Sequence, residues 1–319
     1  MTQPDTYPNT ALGIDFGGTS VKFGVVQGHD VIDSAPAIAT DDYTEPAPLI
    51  DAIVRVIEDL RTRHPGISAI GAGAPGFVNF RTGTIHNLTN VTGWSNIPLR
   101  EILHLRTGLP VTIENDANCM AYAEWKEGAG QGKDHLICIT LGTGVGGGIV
   151  SHGHMLRGAE FVAGELGQMS IDYQGRKGAY SNRGSLEDYI GNNEIAADAR
   201  EYYASKGIER SVTDCTPAAL SQAANEGDAI AVEIWKNIAE KLATSAMNAC
   251  WLLNPEAIVI GGGVAKAGDL LFKPFEASLR SQLAPAFSEH LQILPAHFCN
   301  DAGIIGAAAL ALEESKKSL

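Results

Sequence analysis

The chain has 319 residues, with 23 Lys and Arg against 37 Asp and Glu and a formal net charge of −14. At roughly 150 residues per domain, this length suggests two domains with substantial cores. The acidic balance excludes a broad basic surface for nucleic acid or an anionic membrane.

The first ten residues are polar, with no basic stretch leading into an apolar one, and regular hydrophobic periodicity starts at Ala11. Apolar runs at 11–16 and 21–26, separated by Gly17-Gly18-Thr19-Ser20, predict a strand hairpin, with a third strand at 31–38. Leu49, Ile50, Ile53, Val54, Ile57 and Leu60 fall at helical spacing and predict a helix within 46–63. A strand at 67–73, a long glycine- and asparagine-bearing loop through Trp94, a short helix near 98–107 and a strand at 111–114 follow. Loops of that length in compact domains are usually functional. From Asp116 a helix runs to about Glu127. Strands at 135–141 and 146–150 then form a second hairpin, and 151–185 reads as an elaborated loop region. Helices dominate 186–253, a strand occupies 257–260, a helix starts near Asp269, and a small apolar helix covers about 302–315. The pattern of strand, glycine turn and strand that opens at Ala11 recurs at His135. Duplicated α/β halves of this kind place a ligand in the cleft between them.

Glycine, at 36 residues, exceeds the usual ~7%, and much of the excess lies in three clusters. Asp15-Phe16-Gly17-Gly18-Thr19 ends a strand. Its glycines let backbone N–H groups approach an anion, and its carboxylate suits a magnesium ion held through water; an ordinary hairpin turn is the alternative. Leu141-Gly142-Thr143-Gly144-Val145-Gly146-Gly147-Gly148 contains a formal GxGxxG, but the dinucleotide motif needs a helix to open there. Ile149 and Val150 instead continue a strand, which favours a hairpin cradle for phosphate. Ile260-Gly261-Gly262-Gly263-Val264 lies between a strand and a helix, where either ligand approach or packing would use glycine. Glu114-Asn115-Asp116-Ala117-Asn118 joins a strand to a helix; Asp116 there is either a helix N-cap or a carboxylate aimed into a cleft.

The five cysteines, Cys119, Cys138, Cys215, Cys250 and Cys299, include no CxxC pair. Neither a disulfide framework nor a thiolate zinc site is indicated, and a cytoplasmic protein is expected.

Taken together, the glycine turns, Asp15 and the internal duplication resemble the actin-like ATPase superfamily. More specifically, the chain resembles the ROK sugar-kinase family from Asp15 to the Asp301–Ala308 run, most closely over Leu141 to Gly148 with Gly158, Gly164 and Gly167. The resemblance implies an α/β, RNase H-like fold of two duplicated domains flanking a cleft. The expected domains are 1–115 with 302–319, and 116–301. It implies an ATP- and magnesium-dependent kinase, expected to make glucose 6-phosphate. An N-acylhexosamine kinase, a sensor without transfer and a dinucleotide oxidoreductase are the alternatives. In the family reading Asp116 is the general base. Gly76, Asn90, Asn115, Glu165, Gln168 and Glu187 join it at the sugar. Asp15, Gly17, Gly18, Thr19, Lys22, Gly142, Thr143, Gly144, Gly262 and Gly263 hold the nucleotide, with Asp15 positioning magnesium. A homodimer is expected, with no nucleic-acid or membrane partner.

One departure is clear. Many members of the family bind a structural zinc through a His, a CxC pair and a later Cys; here the same spacing gives Gln168, Gly178, Tyr180 and Ser185, none a usual N or S ligand. Zinc is therefore expected to be absent, with Tyr180 partly filling its space.

Overall fold

The computed structural model describes residues 10–17, 19–88, 91 and 93–317. The chain divides into two compact units, 1–131 with 155–163 and 300–319, and 132–154 with 164–299.

The first unit is built on strands β1 (Thr10–Phe16), β2 (Ser20–Gln27), β3 (Asp30–Ala39), β4 (Ala69–Ala74) and β8 (Val111–Asn115). Between β4 and β8 come β5 (Val78–Asn79), β6 (Thr84–Asn87) and β7 (Ser95–Ile97), a small antiparallel sheet inside the stretch expected to be loop. These strands are too short and too polar to show a period of two. The main sheet has the order β3-β2-β1-β4-β8; β1, β2 and β3 are antiparallel, and β1-β4 and β4-β8 parallel. Helix α1 (Pro46–Arg63) lays its apolar stripe on Leu12, Ile14, Phe16 and Phe23, as its 3.6-residue spacing dictates. Helix α2 (Leu99–Thr107) buries Leu99 and Leu103 in the same core.

The opposite face of this sheet is made for close approach. Helices α3 (Asp116–Lys126) and α10 (Ala302–Lys317) cover it. A Cβ at Gly13 would overlap the Ile304 carbonyl, one at Gly71 the Ala307 carbonyl, and one at Gly306 the Cys119 carbonyl. The Tyr122 hydroxyl donates to Glu313, which also lies 3.3 Å from Lys126 Nζ. These contacts hold α3 in the first unit, whereas the expected boundary opens the second domain at Asp116.

The second unit repeats the arrangement. Strands β9 (Leu136–Leu141), β10 (Val145–Ser151), β11 (His154–Met155), β12 (Ala257–Gly261) and β13 (Gln292–Pro295) stand in the order β11-β10-β9-β12-β13. Counted along the chain within each five-stranded sheet, both read 3-2-1-4-5, the physical content of the duplication seen in the sequence. Helices α4 (Glu187–Ile190), α5 (Asn192–Ser205), α6 (Pro217–Asn225), α7 (Ala229–Leu253), α8 (Asp269–Ser281) and α9 (Pro285–Ser288) complete the unit. The long α7 is capped by Asp228, whose carboxylate accepts from the N–H groups of Ile230 and Ala231. Trp235, Ile238 and Leu242 of α7 are buried with Ile258 and Ile260 of β12. Among the described residues, no helix is long and apolar enough to cross a membrane.

Candidate active site

In the first unit the candidate residues gather at the carboxyl ends of β1, β4 and β8, the side on which open α/β sheets bind ligands. Asp15, Gly73 and Glu114 share one row of the sheet. A Cβ on Gly73 would sit 3.0 Å from Cys119 Sγ and 3.4 Å from Asp116 Cα, so its absence lets the start of α3 come down on β4. Asp116 is the first helical residue, and the capping role belongs to its neighbour: Asn115 Oδ1 accepts from the Asn118 N–H at 3.1 Å. The same side chain donates to the Gly76 carbonyl at 3.1 Å, and Gly76 makes its turn with φ of 76°. Asp116 Oδ1 accepts from the Ala117 N–H at 2.8 Å.

Two carboxyls here are raised above the ordinary range. Burial raises Asp15, opposed by the Lys22 ammonium 3.6 Å away. Burial also pushes Asp116 up to about 6, with the charge of Asp15 adding to the effect and the Ala117 N–H opposing it. One turn on, the buried Cys119 thiol is raised well above its usual value by burial and by Glu114, Asp116 and Asp15, so it stays protonated. The hard oxygen of Asp15, half-compensated and facing a second carboxylate's field, suits a divalent cation such as Mg2+. Gly17 closes its turn by donating to the Ser20 carbonyl at 2.7 Å, and Thr19 is exposed beside it. Gly18 and Asn90 lie outside the described residues.

Behind this sheet end sits a half-buried ion pair that sequence reasoning missed. Arg157 Nε donates to Glu114 Oε2 at 2.6 Å, and its guanidinium lies 3.9 Å from the centre of the Phe80 ring. Glu114 Oε1 accepts from the Asn115 N–H and from Asn118 Nδ2. Arg157 stands in a segment with no periodicity, and its partner is 43 residues away in sequence, so no local signal points to it.

In the second unit the turn 142–144 occupies the same topological place as 17–19 in the first. It runs straight into β10, so no helix opens at the GxGxxG and the dinucleotide fingerprint is a false match. The glycines divide by what surrounds them. A Cβ on Gly147 would overlap the Gly164 carbonyl, one on Gly167 the Val145 carbonyl, and one on Gly262, with φ of 89°, the Leu141 backbone. Those glycines are required by packing. A Cβ on Gly142 or Gly263 would meet nothing within 4 Å, so the backbone there is open to close approach, while the Gly142 N–H closes its own turn on the Gly144 carbonyl at 2.9 Å.

Glu187, at the start of α4, ties the hairpin to the following loop. Its Oε2 accepts from the Val145 N–H at 2.9 Å, and its Oε1 accepts from Gln168 Nε2 at 3.2 Å. Thr143 and Glu165 are exposed, the latter at the start of the single turn Leu166–Gln168. Glu165, Gln168 and Glu187 thus lie on one stretch of chain, bonded to the hairpin through Glu187.

A ROK family profile matches residues 11–314. A glucokinase of Thermotoga maritima is 32% identical over 95% of this chain and 97% of its own length. A beta-glucoside kinase of Listeria innocua is also 32% identical, over 95% and 97%. The crystal structure of a ROK family glucokinase from Streptomyces griseus in complex with glucose and AMPPNP matches with a TM-score of 0.81 at 31% identity, covering 95% of this chain and 99% of that one.

The chain belongs to the ROK family. Its fold is the actin-like ATPase fold, to which the two 3-2-1-4-5 sheets correspond. Gln168, Gly178, Tyr180 and Ser185, the positions at which the resemblance implies zinc ligands, carry no usual N or S donor. Among the described residues no group of three or more His, Cys, Asp or Glu side chains is placed to hold a metal ion. Tyr180 does not fill the space, contrary to expectation, because its side chain is turned outward and is 63% exposed. The interior of the loop is taken by Asn182, which donates to Ser185 Oγ at 2.7 Å.

Proposed function

We propose that this ROK sugar kinase transfers the γ-phosphoryl group of ATP to the 6-hydroxyl of glucose, with Asp116 as general base. The observation that carries this reading is the Asp116 carboxyl at the start of α3, just past β8, pushed up to about 6 by burial and by Asp15. A base so placed is largely ionised at neutral pH yet basic enough to draw a hydroxyl proton. As the bond between O6 and the γ-phosphorus forms, the bond to the β,γ-bridging oxygen breaks, ADP leaves with that electron pair, and the O6 proton passes to Asp116.

The first unit contributes Asp15, Lys22 and the turn of Gly17, Gly18 and Thr19 towards the nucleotide. Asn115 and Gly76, with Asn90, act on the sugar. The second unit contributes the 142–144 turn to the phosphates, Gly263 and Gly262 to the adenosine, and Glu165, Gln168 and Glu187 to the sugar hydroxyls. Each of those side chains can accept a hydrogen bond, and the Gln168 amide can also donate, which matches groups that do both. Mg2+ arriving with the nucleotide, facing Asp15, would neutralise charge on the phosphate oxygens.

A beta-glucoside acceptor is the second reading, favoured by the Listeria relative, which matches as much of the chain at the same identity as the Thermotoga glucokinase. A coupled assay with ATP over glucose, mannose, N-acetylglucosamine, N-acetylmannosamine and cellobiose separates these. Glucose is expected to give the highest kcat/KM; a higher value for cellobiose or an N-acylhexosamine would overturn the assignment to glucose.

A further inference from the structure

We infer that Asn182 is a positioning residue for sugar recognition, its amide fixing which way Gln168 faces, on the reading of Gln168 and Glu187 as sugar-binding residues. Asn182 Nδ2 lies 2.7 Å from Ser185 Oγ and 3.3 Å from both the backbone oxygen and Oε1 of Gln168. Gln168 Nε2 in turn donates to Glu187 Oε1, and Glu187 Oε2 receives the Val145 N–H. One line of hydrogen bonds therefore runs from the loop at 182 to the strand that leaves the 142–144 turn.

A primary amide has one accepting end and one donating end. With Asn182 donating to its oxygen, Gln168 must present its NH2 group to Glu187. The reverse orientation would face NH2 against NH2 on one side and oxygen against carboxylate on the other. Asn182 thereby sets the polarity of Gln168, and through it steadies Glu187.

The loop around Asn182 is closed on itself. The Asn182 carbonyl accepts from the Gly178 N–H at 2.8 Å, and the Gly178 carbonyl accepts from Ser181 at 3.1 Å. A Cβ on Gly178 would lie 2.6 Å from Asp188 Oδ2, 2.8 Å from Asn182 Oδ1 and 2.9 Å from Ser185 Oγ, so the turn is drawn tightly onto these side chains. Outside it, Arg176 anchors the other flank, donating to the Asp188 carbonyl at 2.9 Å and to Asp198 at 2.6 Å while lying 4.7 Å from the centre of the Tyr189 ring. Gln168 and Ser185, 17 residues apart in the chain, are thus the partners of one amide. A neutral hydrogen-bonded clasp orders the segment that carries Gln168 and Glu187.

The test uses Asn182→Asp, which keeps shape but replaces the donor with a carboxylate facing the two oxygens of Gln168, and Asn182→Ala. Each is made in the full chain, alone and on Gln168→Ala. Expected for either is a rise of about tenfold in the glucose KM with kcat changed less than about threefold, shrinking to under about twofold once Gln168 is gone. A wild-type KM in Asn182→Asp, or a penalty undiminished on Gln168→Ala, would overturn the proposal. Amide hydrogen exchange over 166–188 reads the clasp without any sugar. Faster exchange in Asn182→Asp supports it and unchanged exchange contradicts it, even if the wild-type chain phosphorylates no hexose and the functional reading fails on its own.

Discussion

Arg157 Nε lies 2.6 Å from Oε2 of Glu114, a side chain only 2% exposed, in an ion pair directly behind the strand end that carries Asn115 and Asp116. Removing one partner of such a pair leaves an uncompensated charge in the interior, at a cost of about 3–5 kcal/mol. Arg157→Met is expected to show that loss in urea denaturation. Arg157→Lys should recover less than half of it, because an ammonium reproduces neither the guanidinium's reach to Glu114 nor its plane over Phe80. Equal stability of Arg157→Met and wild type would show that Glu114 is not held by this contact.

The raised carboxyl of Asp116 predicts two pH effects. As a base it must be ionised, so kcat/KM is expected to fall about tenfold per pH unit below about 6. For stability, the folded-state value lies above the ordinary 3.8, so the folded chain binds the proton more tightly. The corresponding stabilisation is present below about pH 4 and is lost as pH rises through about 6. Asp116→Asn should therefore be more stable than wild type above pH 6, by up to about 3 kcal/mol, with the advantage vanishing near pH 4. Thermal melts at the two pH values check the sign.

The glycines of the second unit should separate by function. Gly142→Ala meets no neighbour within 4 Å, so it is expected to melt within about 2 °C of wild type while raising the ATP KM about tenfold, as a new methyl keeps a phosphate from approaching the turn. Gly147→Ala drives a Cβ into the Gly164 carbonyl and should cost more than about 3 kcal/mol of stability. An unchanged ATP KM in Gly142→Ala would mean that this turn is not a phosphate cradle.

Much of the framework was legible because it rests on period. The spacing of Leu49, Ile53, Ile57 and Leu60 marks α1, and the two glycine hairpins mark the strands whose matching orders make the duplication. What escaped depends on tertiary partners. β13 has no run long enough to show alternation, and α3 is bound to the first unit by Gly306 and Glu313, which lie far along the chain. At Asn115-Asp116 both residues suit an N-cap, and only the fold shows that Asn115 takes it. The loop around Asn182 was legible as lacking zinc ligands but not in what replaces them. Tyr180 has the bulk to fill a gap, yet an amide with three acceptors around it takes the interior, and a single Asn carries no motif.

The general-base role of Asp116 is tested most directly by comparing wild type with Asp116→Asn at pH 8, measuring glucose-dependent ADP release beside glucose binding by calorimetry. Glucose 6-phosphate should form with the wild type. The variant should bind glucose within about threefold of wild type while kcat falls by about 10²–10⁴. Turnover in Asp116→Asn within tenfold of wild type, or a wild type that transfers phosphate to no hexose, would contradict it.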